Sequence, residues 1–201
     1  MSYETGKARS ASGRMTPRDF IDTWLFGSPP YAFALYRDDY GMFRRELAEK
    51  LRVHPSDLAL VGSARLGFSM NPSKLLAPFS EASDLDVVVV SSLIFDEAWC
   101  NLLTLERSAQ SGDAEEKRLF RKTRENFFDG YLRPDRVPVA SWLSKEWFPK
   151  LAGPYVSPTA KRHATSAWLF KSWWHAEQFY SNNIASIQRD IKKLLANEDL
   201  K

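Results

Sequence analysis

The sequence predicts an α+β fold, with a short mixed β-sheet packed by helices from both ends of the chain. Three observations carry that expectation. Leu58-Ala59-Leu60-Val61 reads as a short buried strand that runs straight into Gly62-Ser63. Asp84-Leu85-Asp86-Val87-Val88-Val89-Val90 holds a β-branched run, the strongest strand signal in the chain. The segments on either side place apolar residues at helical spacing.

Taken in order, residues 1–14 are small, polar and basic, and read as a flexible tail. Thr16-Pro17-Arg18-Asp19 then opens a helix. Threonine suits the N-cap, proline the first helical position and aspartate the positive end of the dipole. Phe20, Ile21, Trp24 and Leu25 form its apolar stripe, and Gly27-Ser28-Pro29-Pro30 ends it. A second helical region runs from about Tyr31 to Leu51, with Phe43, Leu47 and Leu51 four apart. His54-Pro55-Ser56 breaks the chain before the first strand, and a loop spans about Leu66 to Ser83. Helices are expected from Phe95 to about Leu105 and from Ala114 to Phe128. Val137 to Trp142 reads as a third strand, with Pro138 better placed at an edge. Ser157-Pro158 opens a long C-terminal helix carrying Trp168, Leu169, Trp173 and His175, with a bend near Ser181-Asn182-Asn183. The expected organisation is a tail (1–14), a core with N-terminal helices (15–155) and a C-terminal helical segment (156–201).

Composition narrows the class. At 201 residues and 44% hydrophobic, the chain suits one domain with a real core. No apolar run has the length needed to cross a bilayer, and the N-terminus has no signal-peptide core. The lone cysteine, Cys100, fits a reducing cytoplasm and reads as buried and inert. Residues 1–100 carry 11 Lys and Arg against 13 Asp and Glu; residues 101–201 carry 17 against 12. That mild basic excess is either a solvated helical face or an electropositive wall for phosphates. The seven tryptophans read as packing between helices.

Two elements carry chemistry. At Gly62-Ser63, glycine lets the backbone approach a ligand, serine adds a hydroxyl, and turn amides make an anion-binding concavity. At Asp84-Leu85-Asp86, strand alternation sends both carboxylates to one face. Paired carboxylates repel unless a cation lies between them, and magnesium couples one or two carboxylates to substrate phosphates. A lone Gly-Ser is a common turn and a lone Asp-x-Asp often only starts a strand. An aspartate between Leu85 and Val87 on a core strand is costly without such a role.

Val61-Gly62-Ser63, a loop, and then Ser83-Asp84-Leu85-Asp86-Val87-Val88-Val89 resemble the signature of the polymerase-beta-like nucleotidyltransferase superfamily, over roughly residues 56–95. The resemblance implies that Gly62 and Ser63 hold nucleotide phosphates and that Asp84 and Asp86 ligate Mg²⁺ or Mn²⁺. Ser83 precedes the first aspartate, as in the stronger forms of the signature. Arg65 either reaches the triphosphate or is a surface arginine. The implied reaction is attack of a hydroxyl on the α-phosphorus of an NTP, with pyrophosphate leaving.

Two departures follow. The loop is longer than in small members, and its extra segment, Asn71 to Ser80, would cover the site or shape an acceptor pocket. Many active members carry a third carboxylate on a later strand, acting as base and metal ligand. The expected strand here has none; Asp135 is the first candidate, with Asp129 and Glu146 behind it. Lys161, Arg162 and Lys171 either contact the triphosphate or form a solvated face. His163 and His175 read as packing or surface residues of one helix.

The acceptor divides the enzymatic reading. One form resembles the bacterial nucleotide-signal synthases of anti-phage defence, with a second nucleotide as acceptor and a partner effector protein. Another resembles small nucleotidyltransferase toxins acting on tRNA or protein. A third reading, from a different class, is a nucleotide-binding regulatory module without turnover.

Overall fold

A computed structural model describes residues 3–108 and 114–198. The helices are α1 (Tyr3–Arg14), α2 (Pro17–Phe20, continued as a wider helical turn over Ile21–Phe26), α3 (Arg37–Leu51), α4 (Gly62–Leu66), α5 (Ser92–Ser108), α6 (Ala114–Phe128) and α7 (Trp173–Glu198). The strands are β1 (Leu58–Val61), β2 (Leu85–Val90), β3 (Tyr131–Leu132) and β4 (Thr165–Phe170). They form one mixed sheet in the order β1-β2-β4-β3, so the fold is α+β with a small sheet among helices. β1 runs antiparallel to β2, β2 parallel to β4, and β3 antiparallel to β4.

Strand alternation divides the core. Leu58, Leu60, Leu85, Val87, Val89, Ala167, Leu169 and Leu132 project into one buried cluster with α3 and α5. Val61, Val88, Val90 and Phe170 project to the opposite side, against Phe20, Ile21, Ala176, Ile184 and Ile191 from α2 and α7. A sheet covered on both faces needs apolar residues on both, which is why β2 reads as a continuous run.

Several elements differ from expectation. Residues 3–14 form a helix packed along α7, not a tail. Its small residues permit close approach: Ala8 is buried, and Gln188 of α7 donates to the carbonyl of Met15 at 2.7 Å. The Thr16 cap forms, accepting from the Asp19 amide, and Pro17 is first in the helix. The region from Tyr31 divides into a 3-10 turn (Tyr31–Phe33) and α3.

The stretch 137–142 is not a strand. Ser141 is fully buried and donates its amide to the Pro138 carbonyl, while its hydroxyl accepts from the Ser144 amide. This closes a turn that leads into a helical segment, Leu143–Trp147. Proline supplies no ladder donor, and a buried serine competes for the backbone.

The true inner strand is β4, in the stretch expected to be helix. Ser157 and Pro158 do not start that helix: the Ser157 hydroxyl accepts from Ala160 N, and the Thr159 amide donates to buried Asp39. The segment 156–201 therefore supplies a central strand as well as α7. α7 is one continuous helix through Ser181-Asn182-Asn183, where a bend was expected. Cys100 is exposed on α5.

Candidate functional site

β1 ends at Val61, and the backbone turns at once into α4. Gly62 has φ of +62°, in the left-handed region where a side chain is strained. Space is tight as well: a Cβ here would lie 2.9 Å from Asp86 Oδ2, so the carboxylate would have to shift. The Gly-Ser turn and the second aspartate are therefore in direct apposition, because β1 and β2 pair with Val61 opposite Asp86.

Asp86 is half-buried on β2, and Asp84 is exposed just ahead of the strand. Burial pushes the Asp86 carboxyl above its ordinary range. The Ser166 hydrogen bond opposes that, the Asp84 charge adds to it, and Lys74 opposes it. Lys74 lies in the long loop, which forms a 3-10 turn at Pro72–Lys74 and bridges Phe68 to Pro78. The extra segment thus brings a cation into the electrostatic reach of Asp86.

Ser166 is the residue that sequence reasoning missed. The parallel register sets it directly across from Asp86, and its hydroxyl donates to Asp86 Oδ1 at 2.7 Å. It lies on the strand next to β2, in a stretch expected to be helix, whereas the third carboxylate was sought around Val137 to Trp142. Its sequence signal was a polar pair, Thr165-Ser166, ahead of an apolar run, the same order as Ser83-Asp84 ahead of β2. His163 was missed too. It lies in the loop before β4, not on a helix with His175, and its Nδ1–H donates to the Ser83 carbonyl at 2.7 Å. Ser83 also accepts from the Ser80 amide through its hydroxyl, and the Leu85 amide donates to the Ala164 carbonyl. These bonds tie the approach to β2 to the approach to β4.

The other candidates lie elsewhere. Asp135 is exposed in a short turn beyond β3, paired to Nε and Nη2 of Arg133 at 2.8 and 2.9 Å and to Arg136 at 3.5 Å. β4 separates β3 from β2, so this carboxylate is not part of the Asp86 strand pair. Glu146 accepts from the Trp142 indole, and Asp129 sits exposed at the end of α6. Arg65 is not a surface arginine: it is 6% exposed and donates to the Phe26 carbonyl. Lys171 follows β4 at the end remote from Ser166, about 16 Å along a strand at roughly 3.3 Å per residue, and pairs with Asp96. Lys161 is better placed. With His163, Thr165 and Ser166 it lines a cavity of about 570 Å³, and Ser166 is the residue hydrogen-bonded to Asp86.

Oxygen donors suit magnesium or manganese, and two carboxylates at one sheet end, one of them half-buried, fit such an ion. Among the described residues no group of three or more His, Cys, Asp or Glu gathers for a metal. No helix among them is long and apolar enough to cross a membrane. Comparisons with known protein families, with characterised proteins and with solved structures found no match.

Proposed function

We propose that this chain is a metal-dependent nucleotidyltransferase of the polymerase-beta type, which uses an NTP and transfers NMP to a hydroxyl acceptor. The observation that carries the reading is the apposition of Gly62 and Asp86 at the end of paired strands, with Asp84 two residues upstream. A turn that excludes every side chain but hydrogen leaves room for phosphate oxygens next to the carboxylates. Asp84 and Asp86 would hold the divalent ion, and the turn at Gly62 and Ser63 would bind the phosphates. A bound Mg²⁺ or Mn²⁺ would offset phosphate charge and favour displacement at the α-phosphorus with pyrophosphate leaving. Ser166 orients Asp86, and Lys74 adds positive charge. The cavity along Lys161 and His163 is the expected place for the nucleoside or acceptor. A second nucleotide, as in defence-type signal synthesis, is one acceptor class; tRNA or protein is another.

Ser166 favours a second reading. A serine facing Asp86 takes no proton from an acceptor hydroxyl as a carboxylate does. The chain would then bind metal and nucleotide to regulate a partner.

The test uses each α-labelled NTP in turn with Mg²⁺ or Mn²⁺, with and without RNA, beside the Asp84→Ala/Asp86→Ala double variant. Pyrophosphate release with a labelled product from wild type alone supports the transferase and reads its base preference. Metal-dependent NTP binding with no turnover supports the regulatory module.

A further inference from the structure

A second cavity, of about 620 Å³, opens along the outer edge of the sheet at Leu58 and Ala59 of β1. Its wall holds two guanidinium groups, Arg65 from α4 and Arg44 from α3, together with Tyr40, Phe26 and Trp173. None of the residues of the carboxylate site lines it.

Arg65 is 94% buried, since its relative exposure is 6%. One terminal nitrogen donates to the Phe26 carbonyl at 2.5 Å, while its buried Nε has no hydrogen-bond partner. No carboxylate lies within ion-pair distance of it among the described residues. Burial holds its pKa below the ordinary value; the adjacent Tyr40 phenol opposes this, and the Arg44 charge adds to it. Arg44 spends its Nε and one terminal nitrogen on the Pro55 carbonyl and lies 5.6 Å from the Tyr40 ring centre. It too has no ion pair among the described residues. Glu177 of α7 is the one acidic side chain on the lining, and it bonds to neither arginine.

A buried cation left without an anion is costly, and a second, half-exposed guanidinium facing the same cavity adds repulsion. A guanidinium fork matches a carboxylate or phosphate with two parallel hydrogen bonds, and aromatic walls suit a planar group. We infer that this cavity is a binding site for a small oxyanion, a carboxylate or phosphate carried on a planar apolar group, held between Arg65 and Arg44 with its ring against Phe26 and Trp173. Glu177 on the lining suits a hydrogen-bond donor on the same ligand. The site is separate from the carboxylate pair and needs no metal.

The probes are inorganic phosphate and benzoate, titrated in EDTA against chloride at matched ionic strength, with melting temperature and calorimetry as readouts. Wild type and Asp84→Ala/Asp86→Ala should respond alike, and Arg44→Gln should bind at least tenfold more weakly. Arg44 is half-exposed, so this variant keeps the fold where Arg65→Met risks losing it. Tighter binding of benzoate identifies a carboxylate ligand, and tighter binding of phosphate a phosphorylated one. Equal responses to oxyanions and chloride, or an unchanged response in Arg44→Gln, would overturn the inference.

Discussion

The two faces of the sheet obey different rules. On the face toward α3 and α5, the inward residues of β1, β2 and β4 are apolar and buried except Thr165, the first residue of β4. On the face toward α2 and α7, Val88, Val90 and Phe170 are equally apolar, but Asp86 and Ser166 interrupt the pattern. Both interruptions fall at the same level of the sheet, where β2 and β4 begin and β1 ends. One face is apolar along nearly its whole length. The other gives up apolar burial at one end to set a carboxylate beside a left-handed glycine. Polar groups are tolerated there because each has a partner: Ser166 donates to Asp86, and the Ser83 carbonyl accepts from His163.

The sharpest way to break the contrast is a truncation on the uniform face. Leu169→Ala should lower stability by about 2–5 kcal/mol in urea unfolding, the usual range for leucine in a closed core. Gly62→Ala should cost less, about 1–3 kcal/mol for a strained left-handed residue, yet it should abolish metal-dependent nucleotide binding. Repeating it in an Asp86→Ala background separates the contributions: the contact with Oδ2 disappears while the backbone strain stays. A loss of nucleotide binding from Leu169→Ala as large as from Gly62→Ala would erase the distinction between the faces.

Effects of similar size follow at the polar end. Ser166→Ala removes a hydrogen bond to a carboxylate and should cost about 1.5–3 kcal/mol at neutral pH. Ser166→Asp should tighten Mn²⁺ binding, read by titration, by placing a third carboxylate beside the pair.

Asp86→Asn should have the smallest effect, and its sign is opposite. Burial raises the Asp86 carboxyl above its unfolded value, so the folded protein favours the protonated form. The stability tied to that proton is present at low pH and is lost as pH rises from the ordinary carboxylate range through the raised value. Metal-free Asp86→Asn should therefore melt slightly higher than wild type at neutral pH, and the gap should close on acidification. A variant that melts lower at neutral pH would show the carboxylate to be a structural anchor.

The same contrast explains what was legible in the sequence. β2 and its aspartates stood out because a run of valines has one plausible home, and a charge inside it is conspicuous. Gly62 was legible as a turn, but its apposition to Asp86 needed the antiparallel register. β4 was hidden. Trp168, Leu169 and Phe170 sit at distances from Trp173 and Ala176 that also suit one helical stripe, and only the pairing of β4 with β2 selects a strand. With β4 misplaced, Ser166 could not be set against Asp86, and the search for a third carboxylate went to the stretch around Asp135. Arg65 was obscured for a related reason: its short helix turns the guanidinium toward Phe26, away from the turn that starts the helix. In α1, small residues rather than a large apolar stripe make the contact with α7, so composition alone suggested a tail.

The most direct test of the central claim is calorimetric titration of an NTP into wild type, Asp84→Asn and Asp86→Asn, in Mg²⁺ and in EDTA. The account predicts saturable binding that requires Mg²⁺ and is lost in both variants while their folds persist. Binding that is equally tight in EDTA, or unchanged when either aspartate is replaced, would contradict it.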